Sequence, residues 1–294
     1  MSMRSEYEEY IAKQEKLKSH PMARYWINQE GRYVKPFQMF GNLYYVGDSW
    51  VCVHIVDTGD GLLMFDAGNC GGYATALLIQ SIWEMGFNPA DVKWIVLSHG
   101  HVDHIGAVNF FRNMFGSKIY LGKPDAENFR NKPELALVHE STDYMDSIFT
   151  PDVEIDEGDV YTFGNTEVTF HLASGHTEGV IACFFNVTDG KEVKRVGYYG
   201  GFGFNTLTKD YLIEIGDPEY KMRRTYLESI KKVIDEPVDL FMPNHTNNVD
   251  LLKKRQYMIE HPDENPFIDP NAWKNYLQMK YDDLLKFMAD PKNN

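Results

Sequence analysis

Residues 98–106 read Ser-His-Gly-His-Val-Asp-His-Ile-Gly and hold three imidazoles and one carboxylate in a short stretch. Imidazole nitrogen and carboxylate oxygen are the groups that hold Zn²⁺ in catalytic sites while leaving a position open for water. A fold that uses this motif must bring further ligands to it from other loops, because one loop does not complete two metal sites. The pattern His99-x-His101-x-Asp103-His104 therefore predicts a metal site.

The segments around the motif alternate between strand-like and helix-like patterns. Residues 37–66 read as short strands separated by turns, and an apolar run at 93–97 ends where the motif begins. Helical patterns at 73–85 and 104–115 flank that run, and ligands in α/β folds gather at the carboxyl ends of strands. We predict an α/β fold with two mixed β-sheets sandwiched between helices, an αββα arrangement, in one domain over residues 1–294.

The remaining segments extend the same architecture. Four strand-like runs lie between residues 158 and 199, followed by a helical pattern at 219–234 and a strand at 238–242. We expect an amphipathic helix at about 5–18 and a helical C-terminal appendage at about 247–294. Residues 125–150 are expected to be helical at first and then irregular, with the character of a flap over the site.

Charge and hydropathy exclude several classes of protein. The formal net charge is −14, which argues against nucleic acid as a partner, since nucleic-acid-binding proteins usually carry a basic face. No apolar run approaches the roughly 18 residues of a membrane span, and residues 1–18 lack the apolar centre of a secretory signal. We expect a cytoplasmic protein that acts on a small molecule away from membranes. The oligomeric state is left open.

Two histidines outside the motif are candidate ligands. His176 lies in a glycine-flanked turn between two predicted strands, and His245 directly follows the strand-like run at 238–242. Both positions are tight loops at strand ends, where a ligand to the motif's metal is expected. By contrast, His54 and His171 fall inside strand patterns, where alternation explains them.

Together these segments closely resemble the metallo-β-lactamase superfamily over roughly residues 30–285. The resemblance rests on the histidine motif, on a strand that ends in Phe65-Asp66-Ala67-Gly68, and on the Gly175-His176-Thr177 turn. It extends to segments 41–47, 216–220 and 265–267. Within the superfamily the chain is most similar to the β-lactamase subclass whose second metal site uses histidine and no cysteine.

The resemblance implies two Zn²⁺ ions per chain, held by two sets of three residues. The first set is His99, His101 and His176, and the second is Asp103, His104 and His245. Most hydrolases of the superfamily place a bridging Asp in the segment that corresponds to residues 196–204, which contains no carboxylate here. The segment also lacks the serine with which relatives of this subclass commonly help hold the substrate carboxylate, and Phe202 stands there among other aromatic residues.

The mechanism that follows is hydrolysis by a hydroxide shared between the two metal ions, which lower the pKa of bound water. Asp103 is expected to orient this nucleophile and to pass its proton to the leaving group. The resemblance suggests Tyr220 as an oxyanion donor, with Asp66 bracing the ligand loop. We expect a substrate-binding wall from aromatic residues, namely Trp50, Tyr199 and Phe202.

The substrate is less constrained than the metal site. A cyclic amide of the β-lactam type is the leading hypothesis, and a lactone, thioester or other ester is the alternative within the same superfamily. A metal-binding protein without catalysis is a third reading, which the complete set of six ligands disfavours. The sequence does not decide between zinc and other metals, such as iron or manganese.

Overall fold

The structure is a computed structural model that describes residues 32–136 and 148–293, together with residues 4–5, 7–9 and 11–12. These N-terminal residues are helical. Residues 6, 10 and 13–18 of the segment expected to form an N-terminal helix lie outside the described residues, and so do residues 137–147 of the expected flap.

The first sheet has seven strands in chain order. They are β1 (Phe37–Phe40), β2 (Leu43–Tyr45), β3 (His54–Asp57), β4 (Leu62–Phe65), β5 (Val92–Val96), β6 (Lys118–Gly122) and β7 (Val153–Ile155). Strands β1 to β4 pair antiparallel, whereas β4 to β7 pair parallel. The carboxyl ends of β4 and β5 therefore lie side by side, and the histidine motif leaves the sheet at that edge.

The second sheet has five strands in the order β12-β11-β10-β9-β8. They are β8 (Val160–Phe163), β9 (Thr166–Leu172), β10 (Ile181–Thr188), β11 (Val193–Tyr199) and β12 (Leu240–Met242). Only the β11–β12 pair of this sheet is parallel. Both sheets are thus mixed, as expected.

Helices cover the outer faces of the sheets. They are α1 (Gly72–Glu84), α2 (Val102–Ile105), α3 (Val108–Phe115), α4 (Lys123–Asn131), α5 (Lys209–Glu214), α6 (Lys221–Val233), α7 (Leu251–Glu260) and α8 (Ala272–Ala289). None of these helices is both long enough and apolar enough to cross a lipid bilayer.

The core forms three layers, which account for the sandwich. Along β10, Cys183 and Phe185 belong to the apolar cluster between the two sheets, whereas Ala182 and Phe184 belong to the cluster beneath α6 and α8. The first sheet alternates in the same way, with Phe65 facing the other sheet and neighbouring side chains packed against the helices on the opposite side. Because side chains alternate along a strand, each sheet is buried on both faces. The αββα expectation is confirmed, while the single-domain assignment stays a prediction.

One expected helix differs in its boundaries. The expected helix at 104–115 is split, because α2 ends at Ile105 and α3 begins at Val108. Gly106 separates the two helices, and a Cβ there would lie 2.0 Å from the carbonyl oxygen of Asn69. The chain therefore needs a residue without a side chain where the motif loop passes the loop that follows β4.

Candidate metal centre

Three chain segments bring the ligand candidates to one end of the two sheets. His99 and His101 follow β5, and Asp103 and His104 lie in the short helix α2. His176 lies in the turn between β9 and β10, and His245 follows β12. The first four candidates come from the first sheet, and the last two come from the second.

One group, here called the imidazole triad, consists of His99, His101 and His176. A nitrogen of each of these buried rings lies within 4.8 Å of the other two. His99 Nε2 is 3.0 Å from His101 Nδ1. The Nε2 atom of His101 is buried and has no hydrogen-bond partner among the described residues, so His101 faces its neighbours through Nδ1.

The other group, here called the carboxylate triad, consists of Asp103, His104 and His245. His104 Nε2 lies 3.1 Å from His245 Nε2. Asp103 Oδ2 lies 3.5 Å from the first of these nitrogens and 3.6 Å from the second. Since ligand atoms of His99, Asp103 and His104 also lie within 4.8 Å of one another, the two triads adjoin.

Hydrogen bonds fix which ring nitrogen of the carboxylate triad carries its lone pair. His104 Nδ1 is 2.8 Å from Asp66 Oδ2, and His245 Nδ1 is 3.1 Å from the carbonyl oxygen of Trp50. A carboxylate and a carbonyl only accept, so both Nδ1 atoms donate and each neutral ring presents an Nε2 lone pair. Two lone pairs that face each other at 3.1 Å beside a carboxylate repel unless a cation or a proton lies between them. This donor set fits a divalent metal ion.

The imidazole triad is supported by backbone and hydroxyl groups. His99 Nδ1 lies 3.0 Å from Ser98 Oγ. His176 Nδ1 lies 2.9 Å from the carbonyl oxygen of Gly203 and 3.2 Å from Thr206 Oγ1. Fixing the outer ring nitrogen in this way orients the inner nitrogen, as is usual for metal-ligating histidines.

Burial keeps four of the five imidazoles neutral. It lowers the pKa of His176 and of His245 to about 4. Burial and the positive charge of neighbouring rings hold the pKa values of His99 and His101 well below 6.5. The neutral imidazole is the form that binds a metal ion.

His104 and Asp103 of the carboxylate triad show a different balance. Burial acts to lower the pKa of His104, but the carboxylates of Asp103 and Asp66 outweigh it and raise the pKa above 6.5. Burial likewise acts to raise the pKa of Asp103, but the surrounding imidazoles lower it to about 2. This triad therefore contains an ionised carboxylate at neutral pH and holds positive charge more readily than the other.

Asp66 connects β4, β5 and β11 at the base of the site. Its Oδ1 accepts the backbone N–H of Ser98 at 2.7 Å, and its Oδ2 accepts His104 Nδ1 at 2.8 Å and the Tyr198 hydroxyl at 2.7 Å. The residue is fully buried and adopts a φ of 62°, which is uncommon for a side chain larger than glycine. The loop holds that conformation where three hydrogen bonds aim the carboxylate at the motif.

Asp125 was not singled out in the sequence, yet it joins the two loops of the imidazole triad. Its carboxylate accepts the backbone N–H groups of Gly100 at 2.7 Å and Gly179 at 2.8 Å, and the Thr177 hydroxyl at 2.7 Å. Burial raises its pKa to about 6. In the sequence Asp125 is only an acidic residue in the first turn of a predicted helix, so the pattern did not indicate its role at the site.

Beside the triads lies a cleft of about 430 Å³, to which His101, Asp103, His176 and His245 contribute. Two expected wall residues, Trp50 and Phe202, line it. The ring of Trp50 lies 4.8 Å from that of His245. Helix α8 adds Tyr276 and Lys280 to the lining, and no sequence signal indicated that this helix reaches the site.

Two other expected residues are placed elsewhere. Tyr199 is fully buried and stacks on the inner side of Phe202 with ring centroids 4.6 Å apart, so it belongs to the core and does not line the cleft. Tyr220 precedes α6 with a φ of 53°, and the Arg223 guanidinium lies 4.5 Å over its ring. Tyr220 is not among the residues that line the cleft.

Comparison with known proteins relates the chain to one superfamily. The sequence profile of the metallo-beta-lactamase superfamily matches residues 50–189. The crystal structure of BJP-1, a subclass B3 metallo-β-lactamase of Bradyrhizobium japonicum, is similar with a TM-score of 0.76 and 26% identity, covering 90% of this chain and 97% of that one. Native FEZ-1 metallo-β-lactamase from Legionella gormanii gives a TM-score of 0.77 at 24% identity, covering 90% of this chain and 99% of that one. In sequence profile and fold the chain is similar to the metallo-β-lactamase superfamily, and these structural neighbours include a β-lactamase of subclass B3.

A shorter match points to another branch. The N-acyl homoserine lactonase AttM of Agrobacterium fabrum is 51% identical over 35 residues, which are 12% of this chain and 13% of that protein. The chain spans less than half the length of the curated relatives that it matches.

Proposed function

We propose that this protein is a zinc-dependent hydrolase in which the imidazole triad and the carboxylate triad each hold one Zn²⁺. The observation that carries the proposal is the contact between two Nε2 lone pairs at 3.1 Å, those of His104 and His245, beside the Asp103 carboxylate. Nitrogen and oxygen donors in sets of three are typical of catalytic zinc, which keeps an open position for water or substrate.

The proposed substrate is a cyclic amide of the β-lactam type or a related small acyl compound. The similarity to BJP-1 over most of both chains supports this choice. The cleft volume of about 430 Å³ also falls in the range of small-molecule sites, about 300–1,000 Å³.

Zn²⁺ held by the two triads would supply Lewis acidity and lower the pKa of a water molecule toward neutral pH. Asp103 would orient the attacking water by accepting its hydrogen bond, and its pKa of about 2 favours this role over lasting storage of a proton. Trp50 and Phe202 form apolar walls that limit water around the reacting bond. Asp66 and Asp125 keep the ligand loops in place through the hydrogen bonds described above.

The test combines metal content with turnover. The purified protein is expected to contain two equivalents of zinc, to hydrolyse a chromogenic cephalosporin, and to lose activity with a chelator and regain it with Zn²⁺. The matched variants are His245→Ala, which removes a ligand, and His171→Ala, which removes a histidine of β9 outside the site. Full activity of His245→Ala, or no more than one metal per chain in the unaltered protein, would contradict the two-metal proposal.

A lactone or ester hydrolase is the second candidate, and the local identity with AttM favours it. A panel of N-acyl homoserine lactones and simple thioesters, assayed beside the cephalosporin, separates the two candidates. Turnover of lactones or esters alone would reject the β-lactam substrate and keep the hydrolase. Two bound metal ions with no turnover of either class would favour a metal-binding protein without catalysis.

A further inference from the structure

The cleft beside the metal centre has one cationic side chain among the described residues that line it, that of Lys280. The residue lies on α8, one turn after Tyr276. Its ammonium group is 4.6 Å over the ring of Phe204. A lysine in this position extends along an aromatic surface and holds its charge at the cleft.

Lys280 differs from the lysines around it on the same helix. Lys274 pairs with Asp235 at 2.6 Å, and Lys286 pairs with Asp283 at 3.3 Å. Lys280 has no carboxylate within 4 Å among the described residues, although it is partly buried. The carboxylate of Asp283 acts on Lys280 from a greater distance, but burial outweighs it and lowers the pKa of the ammonium group, so a closer anion is favoured.

The amides of the cleft fall into two groups. Asn244 donates to the carbonyl oxygen of Gly200 at 2.7 Å, and Asn248 accepts the Tyr276 hydroxyl at 3.1 Å, so both serve the fold. The side chains of Asn205 and Asn247 line the same cleft and make no hydrogen bond to another described residue. The side-chain amides of Asn205 and Asn247 and the ammonium group of Lys280 therefore have no hydrogen-bond or ion-pair partner among the described residues.

We propose that Lys280 is a specificity-determining residue that binds a carboxylate of the substrate, with Asn205 and Asn247 as neutral donors beside it. The inference rests on the proposed function and deepens it, because it defines the substrate as an anionic acyl compound. The scissile carbonyl lies at the metal centre, the carboxylate lies against α8, and the aromatic side chains of Trp50 and Phe202 flank the body of the substrate.

The test uses a chromogenic cephalosporin as its free acid and as its methyl ester, with the full-length, metal-loaded protein. We expect Lys280→Met to raise KM for the acid about tenfold and to leave KM for the ester and both kcat values nearly unchanged, as for loss of uniform binding to a charged group. Lys280→Arg is expected to restore most of the preference for the acid. Lys274→Met is the matched control, because it removes the same charge from the same helix outside the cleft.

A binding measurement separates this inference from the proposed function. The probes are 3-mercaptopropionate and its methyl ester, titrated into the metal-loaded protein without turnover. A preference for the acid that disappears in Lys280→Met supports the inference, even if no acyl substrate is hydrolysed and the proposed function fails. Equal binding of acid and ester, or a preference that survives in Lys280→Met, overturns the inference, even if the protein proves to be a hydrolase.

Discussion

The two triads lie side by side but are stabilised by different interactions. The imidazole triad is positioned by a hydroxyl and a carbonyl, from Ser98 and Gly203, and by the loops that Asp125 joins. The carboxylate triad is positioned by charge, because Asp66 accepts from His104 while Asp103 lies among the ligands. The raised pKa of His104, against the lowered pKa values of the other imidazoles, has the same origin. The comparison indicates that removing negative charge should affect the two triads unequally.

The largest effect is expected for Asp103→Asn, which neutralises the carboxylate triad at its ligand. Its kcat/KM should fall on the order of 10³-fold, in the range typical for a group that aligns and deprotonates a nucleophile. Metal content should fall from two ions per chain toward one, with the imidazole triad still occupied. Asp60→Asn, an exposed acid paired with Lys93, is the control. If Asp103→Asn binds two ions tightly and keeps high activity, the claim that the two triads depend unequally on negative charge is wrong.

Acid should destabilise the protein through His54, whose Nε2 contacts the carbonyl oxygen of Pro243 near the carboxylate triad at 2.8 Å. Burial lowers the pKa of His54 from 6.5 to about 4. Between these values the unfolded chain binds a proton that the folded chain does not, so stability is complete above pH 6.5 and is lost as the pH falls toward 4. The loss is about 3 kcal/mol for this one group. Urea unfolding of the metal-loaded protein at pH 7.5 and 4.5 measures it.

His54→Gln keeps a donor for Pro243 and removes the titrating group. The variant should therefore lose less stability than the unaltered protein over the same pH interval. An identical pH dependence in the two proteins would show that other groups account for the acid sensitivity.

Asp66→Asn tests directly whether the two triads differ in their dependence on negative charge. The substitution is suitable because asparagine tolerates the positive φ at this position and keeps the size of the side chain. Loss of the carboxylate behind His104 should weaken metal binding at the carboxylate triad by about 10–100-fold. The imidazole triad should change little. Competition with a chromogenic chelator resolves the two dissociation steps, and equal weakening of both would contradict the proposed division of roles.

Asp125→Asn is the corresponding substitution next to the imidazole triad. It disturbs the bonds from Gly100 and Thr177, which costs about 1–3 kcal/mol for unsatisfied buried donors. Burial raises the pKa of this carboxyl to about 6, which means that the buried charge itself destabilises the fold. Removing the charge therefore offsets part of the cost of the disturbed bonds, and the free energy of unfolding should fall by about 1 kcal/mol. Thermal unfolding measures the loss, and chelator competition should show the weaker site to be the one that Asp66→Asn leaves unchanged.

The smallest effect is expected for Tyr220→Phe. Since Tyr220 stacks on Arg223 and does not line the cleft, kcat/KM should stay within about threefold of the unaltered value. Loss of a true oxyanion donor would reduce kcat roughly 100-fold or more, which would restore the catalytic role expected from the sequence. Tyr220→Ala serves as the comparison that also removes the ring.

The predicted residues that the structure brings together are those whose position depends on strand ends. The motif follows β5, and His176 and His245 follow strands of the other sheet, so loop position alone predicted that they would meet. Tyr199 was misplaced because alternation along β11 puts Tyr198 and Tyr199 on opposite faces of a sheet that is covered on both sides. A strand pattern does not reveal whether its outer face meets a helix or solvent.

Long-range packing explains the residues that were missed. Lys280 and Asp125 lie in ordinary amphipathic helices, and nothing in their own segments shows which surface each helix covers. Their roles depend on how α8 and α4 dock, which is decided by contacts far apart in the chain. Expectations drawn from one sequence are therefore strongest for ligands on loops and weakest for the residues that surround them.

The distribution of ligands over both sheets also bears on how the molecule is made. His99 to His104 leave the ribosome well before β12 has been synthesised, and His245 emerges only after that strand. During synthesis all three residues of the imidazole triad emerge before β12, whereas the carboxylate triad is complete only after His245 has followed that strand. An ion bound at the carboxylate triad would therefore join an early segment of the chain to a late one.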